Sequence, residues 1–203
     1  MSTLPDLQAL LRRPALEVAP RLLGAVLRHG EVAVRICEVE AYDGANDPGS
    51  HAYRGRTPRN SVMFGPGGHL YVYFTYGMHH CCNVVCGPEG AASAVLLRAG
   101  QVVEGLDVAQ VRRPGSSARD LARGPARLCR ALAIDLTHDG SDLGGGGALS
   151  LELGRAVATD EVRTGPRVGL RHAADRPWRF WIEHDPHVSV YRPAAPRRAR
   201  TSP

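Results

Sequence analysis

The sequence predicts a single α+β domain. Its 203 residues suffice for one proper hydrophobic core. Strand-like and helix-like segments are mixed without the regular β-α-β alternation of a parallel sheet. No internal repeat is visible. Apolar residues make up 43% of the chain and charged residues 22%, the ordinary composition of a soluble globular protein. The domain is expected to span residues 1–191, with a Pro- and Arg-rich tail at 192–203 expected to be disordered.

The elements follow from local pattern. Residues 4–28 read as mostly helical in pieces, because Pro5, Pro14 and Pro20 stand where helices begin. Leu7, Leu10 and Leu11 form one apolar face; Leu22, Leu23 and Val26 form another. His29-Gly30 makes a turn. Val32 to Glu40 reads as a strand in which Val32, Val34, Ile36, Glu38 and Glu40 share a face by the period of two. Carboxylates on a face begun by Val and Ile are locally inconsistent, and such conflicts often mark function. Residues 43–67 read as loop. Leu70–Thr75 and His80–Cys86 read as a hairpin around Tyr76-Gly77-Met78, followed by a strand at Ala94–Ala99. Residues 112–120 are polar and expected to be mobile. Gly124-Pro125 starts a helix to about Ile134, with Leu128 and Leu132 on its buried face. The glycines at 144–147 read as a flexible loop, and Leu149–Leu153 and Arg179–Glu183 as late strands.

Charge and composition narrow the chemistry. The formal charge of +5 and a pI near 9.2 fit a nucleic-acid partner without establishing one. All 25 basic residues are arginine. Schiff-base enzymes need an amine nucleophile, usually lysine, and here only the N-terminal amine could serve. Five cysteines, an odd number, and an N-terminus without an apolar signal core point to a reducing cytoplasmic compartment. No apolar run approaches the ~18 residues of a membrane span.

Candidate functional residues cluster between Glu38 and Ala99. Glu40, beside Tyr42, reads either as a solvated strand edge or as a general base that orients water against a sugar carbon. Whether Glu38 faces the same substrate stays open. Arg98, on an apolar strand, must be paired, and Glu40 is its expected partner. Tyr71, Tyr73, Tyr76 and Met78 lie on and beside the hairpin turn. They read either as rings folded into the core or as side chains inserted between base steps. Arg54, Arg56 and Arg59 could contact phosphates, and His51 with Tyr42 could form an aromatic slot for an extruded base. His79-His80-Cys81-Cys82 and Cys86 invite a metal reading. Neighbours on a strand point to opposite faces, so buried free cysteines fit better.

Several blocks in order carry a family resemblance: E-A-Y-D-G, T-P-R-N-S-V-M-F, Y-V-Y-F-T-Y-G-M, C-N-V, V-L-L-R-A, G-P-A-R-L-C-R-A-L-A-I and P-R-V-G-L. From about Leu22 to Val190 the chain resembles the alkyladenine (3-methyladenine) DNA glycosylase family. The resemblance implies a curved antiparallel sheet with surrounding helices and a protruding hairpin that enters DNA. It implies a monofunctional enzyme without metal or other cofactor. Its partner would be double-stranded DNA containing damaged purines, engaged by a monomer and not by a membrane protein. By the same resemblance Glu40 activates the water and Arg98 helps position it. Tyr42, His51 and Tyr73 enclose the flipped base, Asn83 crowds the amino group of guanine, and Tyr76 fills the gap in the duplex with Met78 beside it. His79 stands where the animal relatives carry tyrosine. Two other readings are a catalytically silent duplex-binding protein and a His/Cys metalloprotein.

Overall fold

The computed structural model describes residues 6–144 and 146–195. The fold is α+β, built on a curled antiparallel sheet with the strand order β3-β4-β5-β2-β1-β6. The strands are β1 (Val26–His29), β2 (Val32–Asp43), β3 (Leu70–Thr75), β4 (His79–Cys86), β5 (Ser93–Glu104) and β6 (Leu149–Glu152). Two further strands, β7 (Val162–Gly165) and β8 (Arg179–Ile182), form a ribbon whose β8 pairs with β2 at Glu38–Glu40. The helices are short: α1 (Leu7–Leu11), α2 (Ala15–Val18), α3 (Leu106–Arg112) and α4 (Pro125–Leu132). Among the described residues, no helix is long and apolar enough to cross a membrane.

The main core lies on one face of the sheet. It joins Leu70 and Val72, Cys82 and Val84, Val95 and Leu97 to Leu10, Val18, Leu128 and Leu132 from the helices. The period of two sends the intervening residues to the other face. There Tyr71, Val85, Ala94, Ala52 and Met63 make a smaller cluster beneath the loop after β2.

Strand β2 corrects the sequence reading. Val32, Val34 and Ile36 belong to the main core, and so do Val39 and Ala41. Parity changes between them because Ile36 pairs with Gly100 while Glu38 pairs with Ala99, leaving Cys37 as an extra residue. On β5 the next step runs from Ala99 to Leu97, which leaves Arg98 as the compensating extra residue. Such bulges re-aim side chains. The valines therefore do not share a face with Glu38 and Glu40, and the local conflict disappears.

Other expectations also change. The N-terminal helical region ends in a 3-10 turn at Ala19–Leu22, and Val26 opens β1, not a helix face. The edge of β2 at Val32–Arg35 needs a partner, and Val26–Arg35 and its neighbours supply the ladder. Residues 112–120 are pinned: Arg113 donates to the carbonyls of Asp120 and Leu121. The loop at 43–67 contains 3-10 turns at Gly44–Asn46 and Pro58–Phe64. There Asn60 stitches the chain by donating to the carbonyls of His51 and Gly55 and accepting from Thr57. Of the expected tail, residues 192–195 form no regular element, and residues 196–203 lie outside the described residues.

Candidate active site

The two bulges bring Glu38, Glu40 and Arg98 together on the face opposite the main core. All three are buried. Arg98 Nε donates to Glu38 Oε1 at 3.1 Å, and its Nη1 lies 3.3 Å from Glu40 Oε1. Burial alone would lower the affinity of Arg98 for its proton. The carboxylates of Glu40 and Glu38 outweigh that effect and raise it.

The two glutamates have different surroundings. Glu38 is tied into the fold: Oε1 also accepts from Arg179 Nε at 2.7 Å and Ser189 Oγ at 3.0 Å, and Oε2 accepts from Ser189 N at 2.7 Å. Glu40 holds Val168 N–H on Oε1 at 2.7 Å and Tyr42 O–H on Oε2 at 2.8 Å. With Arg98 Nη1 also beside Oε1, it is Oε2 that retains capacity for another donor. Glu40 also borders an open cavity of about 340 Å³, which Glu38 does not line. A solvated strand edge is therefore excluded for both. One carboxylate braces the strands and the other is buried in the wall of the cavity.

Besides Arg98 of β5, the cavity gathers residues from segments far apart in the chain. Tyr42 comes from β2, His51 from the following loop, Tyr73 and Asn83 from the hairpin, and Val168 from the chain after β7. Burial and the Glu40 carboxylate push the Tyr42 phenol well above its ordinary range, so it remains a donor. The His51 ring sits edge-on to Tyr73, with centroids 4.5 Å apart, and its Nδ1 lies 3.2 Å from Tyr71 Oη. Although His51 opens to solvent at the cavity mouth, the packing around it and then Arg59 lower its pKa, which favours the neutral ring. Asn83 Nδ2 donates to the Tyr71 carbonyl at 3.1 Å, which fixes its amide.

Above the cavity stands the hairpin tip. Tyr76 is 86% exposed and Met78 69% exposed, whereas Tyr71 is buried, so of the two readings Tyr71 takes the one with its ring folded into the core. Tyr76 and Gly77 have φ values of 52° and 67°, and Met78 N–H bonds the Thr75 carbonyl. Within the three-residue loop this is a turn with positive φ at both central positions, the kind that favours Asn-Gly. Tyrosine at its first position is strained and makes little contact in return.

Two sets of arginines flank the tip. Arg54, Arg56 and Arg59 are exposed on the loop after β2, and Arg59 leans back to donate to the Phe74 carbonyl at 2.9 Å. On the other side Met78 and His79 border a groove of about 930 Å³ walled by Arg112, Arg113, Arg127 and Arg130. Burial first, and then Arg127 and Arg130, lower the pKa of Arg113, the mark of like charges held together. The His/Cys run does not converge. Cys81 faces the cavity, whereas Cys82 and Cys86 lie in the main core. Among the described residues, no group of three His, Cys, Asp or Glu is placed to hold a metal ion.

Comparison with known proteins settles the ancestry of this arrangement. The profile of the methylpurine-DNA glycosylase family matches residues 9–186. The chain belongs to that family. Proteins named "Putative 3-methyladenine DNA glycosylase" are similar over nearly the whole length. The one from Streptomyces avermitilis is 56% identical, covering 99% of this chain and 100% of its own. Those from Frankia casuarinae and Nocardia farcinica are 53% and 55% identical, covering 97% and 89% of this chain and 96% and 90% of their own. This methylpurine-DNA glycosylase is accordingly a DNA repair enzyme, a hydrolase of N-glycosyl bonds.

Sequence reasoning missed part of the candidate site. Arg179 and Ser189, which hold Glu38, lie 141 and 151 residues from it, and no local pattern announces such pairing. Val168 acts through its backbone, which carries no side-chain signal. Arg167 was within reach, as a charged residue inside the quoted P-R-V-G-L block. Of the four groove arginines, Arg127 and Arg130 lie on the helix read from Gly124-Pro125, whereas Arg112 and Arg113 stand at the end of α3, which the sequence reading did not assign.

Proposed function

We propose that this chain is a monofunctional, monomeric DNA glycosylase that turns alkylated or deaminated purines out of duplex DNA and hydrolyses their N-glycosidic bond. The observation that carries the reading is the asymmetry of the two glutamates. Only Glu40 meets the cavity, and it does so between Arg98 and Tyr42.

In this reading Tyr76 enters the stack and occupies the space of the extruded nucleotide. Unstacking costs a few kcal/mol, which the inserted ring offsets. Met78 supports the wedge. The base lies between Tyr42, His51 and Tyr73, with Asn83 at its edge. A neutral His51 can stack on the base without repelling a positive charge. Glu40 accepts a proton from water as its oxygen attacks C1′, while the C1′–N bond breaks and its electron pair leaves with the base. The oxocarbenium character that develops at C1′ is stabilised by the same carboxylate. Arg98 holds the carboxylate and the water in line. The products are a free base and an abasic sugar.

Phosphates would be held on both flanks of the wedge, by Arg54, Arg56 and Arg59 on one side and by the groove arginines on the other. A silent duplex binder would need neither Glu40 at the cavity nor Arg98 beside it. The test is incubation with duplexes that each carry 3-methyladenine, 7-methylguanine, hypoxanthine or ethenoadenine. Strand breaks should appear only after alkaline cleavage of abasic sites. No release of any of these bases would reject the reading, and breaks without alkali would reject its monofunctional part.

A further inference from the structure

We propose that Arg167 sets the charge preference of the base cavity, acting through the ring of Tyr42. The inference rests on the reading that Tyr42 is a wall for the extruded base.

Arg167 is wholly buried and does not line the cavity. Its guanidinium carbon lies 4.6 Å from the Tyr42 ring centroid and 5.1 Å from that of Trp178. Asp47 takes both Nη atoms, with Nη2 to Oδ1 at 2.7 Å, and Nη1 also donates to the Ala41 carbonyl at 2.9 Å. Nε has no partner. Neighbouring chain is close: a Cβ on Gly49 would come within 2.9 Å of Nη2. The cation is thus fixed behind the ring, and it cannot swing away.

A guanidinium on one face of a phenol draws π density toward itself. The face turned to the cavity is then less negative. Asp47 offsets part of the field, but its bidentate pairing places it in the guanidinium plane, to one side of the stacking axis. A purine alkylated at N3 or N7 is cationic in the intact nucleotide; hypoxanthine and ethenoadenine are neutral. The cationic base would gain less from this wall than from a plain tyrosine. Arg59, 5.9 Å from the Tyr73 centroid, acts in the same direction on the opposite wall, but it is exposed and screened by solvent. Arg167 is therefore a specificity-determining residue that never touches the substrate.

Removing the arginine alone would leave Asp47 buried and unpaired. The main test is therefore the double variant D47N/R167Q, with R167K as the charge-retaining companion. Single-turnover excision of 7-methylguanine and hypoxanthine is measured in one duplex context. In the double variant the ratio of the first rate to the second should rise roughly threefold or more over the parent, the scale of a restored cation–π contact. R167K keeps Asp47 paired but takes the flat cation off the ring, so it should move the ratio in the same direction and decides the matter if the double variant does not fold. Two rates that fall by one common factor in these variants would overturn the proposal and leave Arg167 a structural clamp. Tyr42→Leu separates the underlying reading: if it leaves both rates unchanged, Tyr42 is no wall of the base site. If it slows both while the Arg167 variants leave the ratio fixed, only the present inference fails.

Discussion

Glu38 and Glu40 differ by two positions in sequence and by everything that matters around their carboxylates. Glu38 accepts four hydrogen bonds and neutralises Arg179 together with Arg98. Glu38→Gln would leave buried guanidinium charge uncompensated and should cost about 3–5 kcal/mol of stability, read as a large fall in urea midpoint. An unchanged midpoint would mean that Glu38 does not brace the fold. That the pair shared a face was legible from the period of two. Their division of labour was not, because it depends on donors delivered from the far end of the chain. His51 belongs to the same scale. Its packing and then Arg59 depress its pKa, so it is neutral above that lowered value and a cation only below it. Arg59→Ala should raise the His51 pKa toward the usual imidazole range, as NMR titration of the ring would show; a further fall would contradict this account of the cavity mouth.

The hairpin and the bulged strands are the elements that make the site. The β3–β4 hairpin was readable because its alternation and turn residues are local. The bulges were not: an extra residue in each of two strands is invisible without knowing the pairing. The same holds for β1, whose four residues lack a pattern of their own and become a strand because β2 and β6 flank them. The turn at Tyr76 gives a prediction at this scale. Asn tolerates positive φ where tyrosine is strained. Tyr76→Asn should therefore leave stability equal or higher, by up to about 1 kcal/mol, while slowing excision from duplex DNA. A marked loss of thermal stability would instead show that the ring is a packing residue. Helices α3 and α4 supply a second elemental test. Replacing both Arg127 and Arg130 by alanine should weaken duplex binding alike for all sequences and reduce the salt slope by about two. An unchanged slope would remove the groove from the DNA path.

Across the whole molecule, one face of the curled sheet supplies stability and the other supplies chemistry. The main core is apolar and continuous. The opposite face carries the paired carboxylates, the aromatic walls and the loop of Arg54, Arg56 and Arg59, while the groove arginines ride on and beside α3 and α4, which pack on the core side. A net charge of +5 built from arginine alone suits phosphate contact and offers no lysine for a covalent step. That much was legible in composition, and the α+β class followed from the mixture of elements. Which side of the hairpin carries the deeper basic groove was not, since it depends on how α3 and α4 pack beside β4. The account stands or falls on Glu40. Glu40→Gln keeps the side chain's size and its bonds to Val168 and Tyr42 while removing the basic oxygen. Arg98 would remain paired with Glu38, so the fold should survive. Single-turnover excision of hypoxanthine and 3-methyladenine from duplex DNA should become undetectable with binding to the damaged duplex retained. Excision within a few-fold of the parent enzyme would contradict the account.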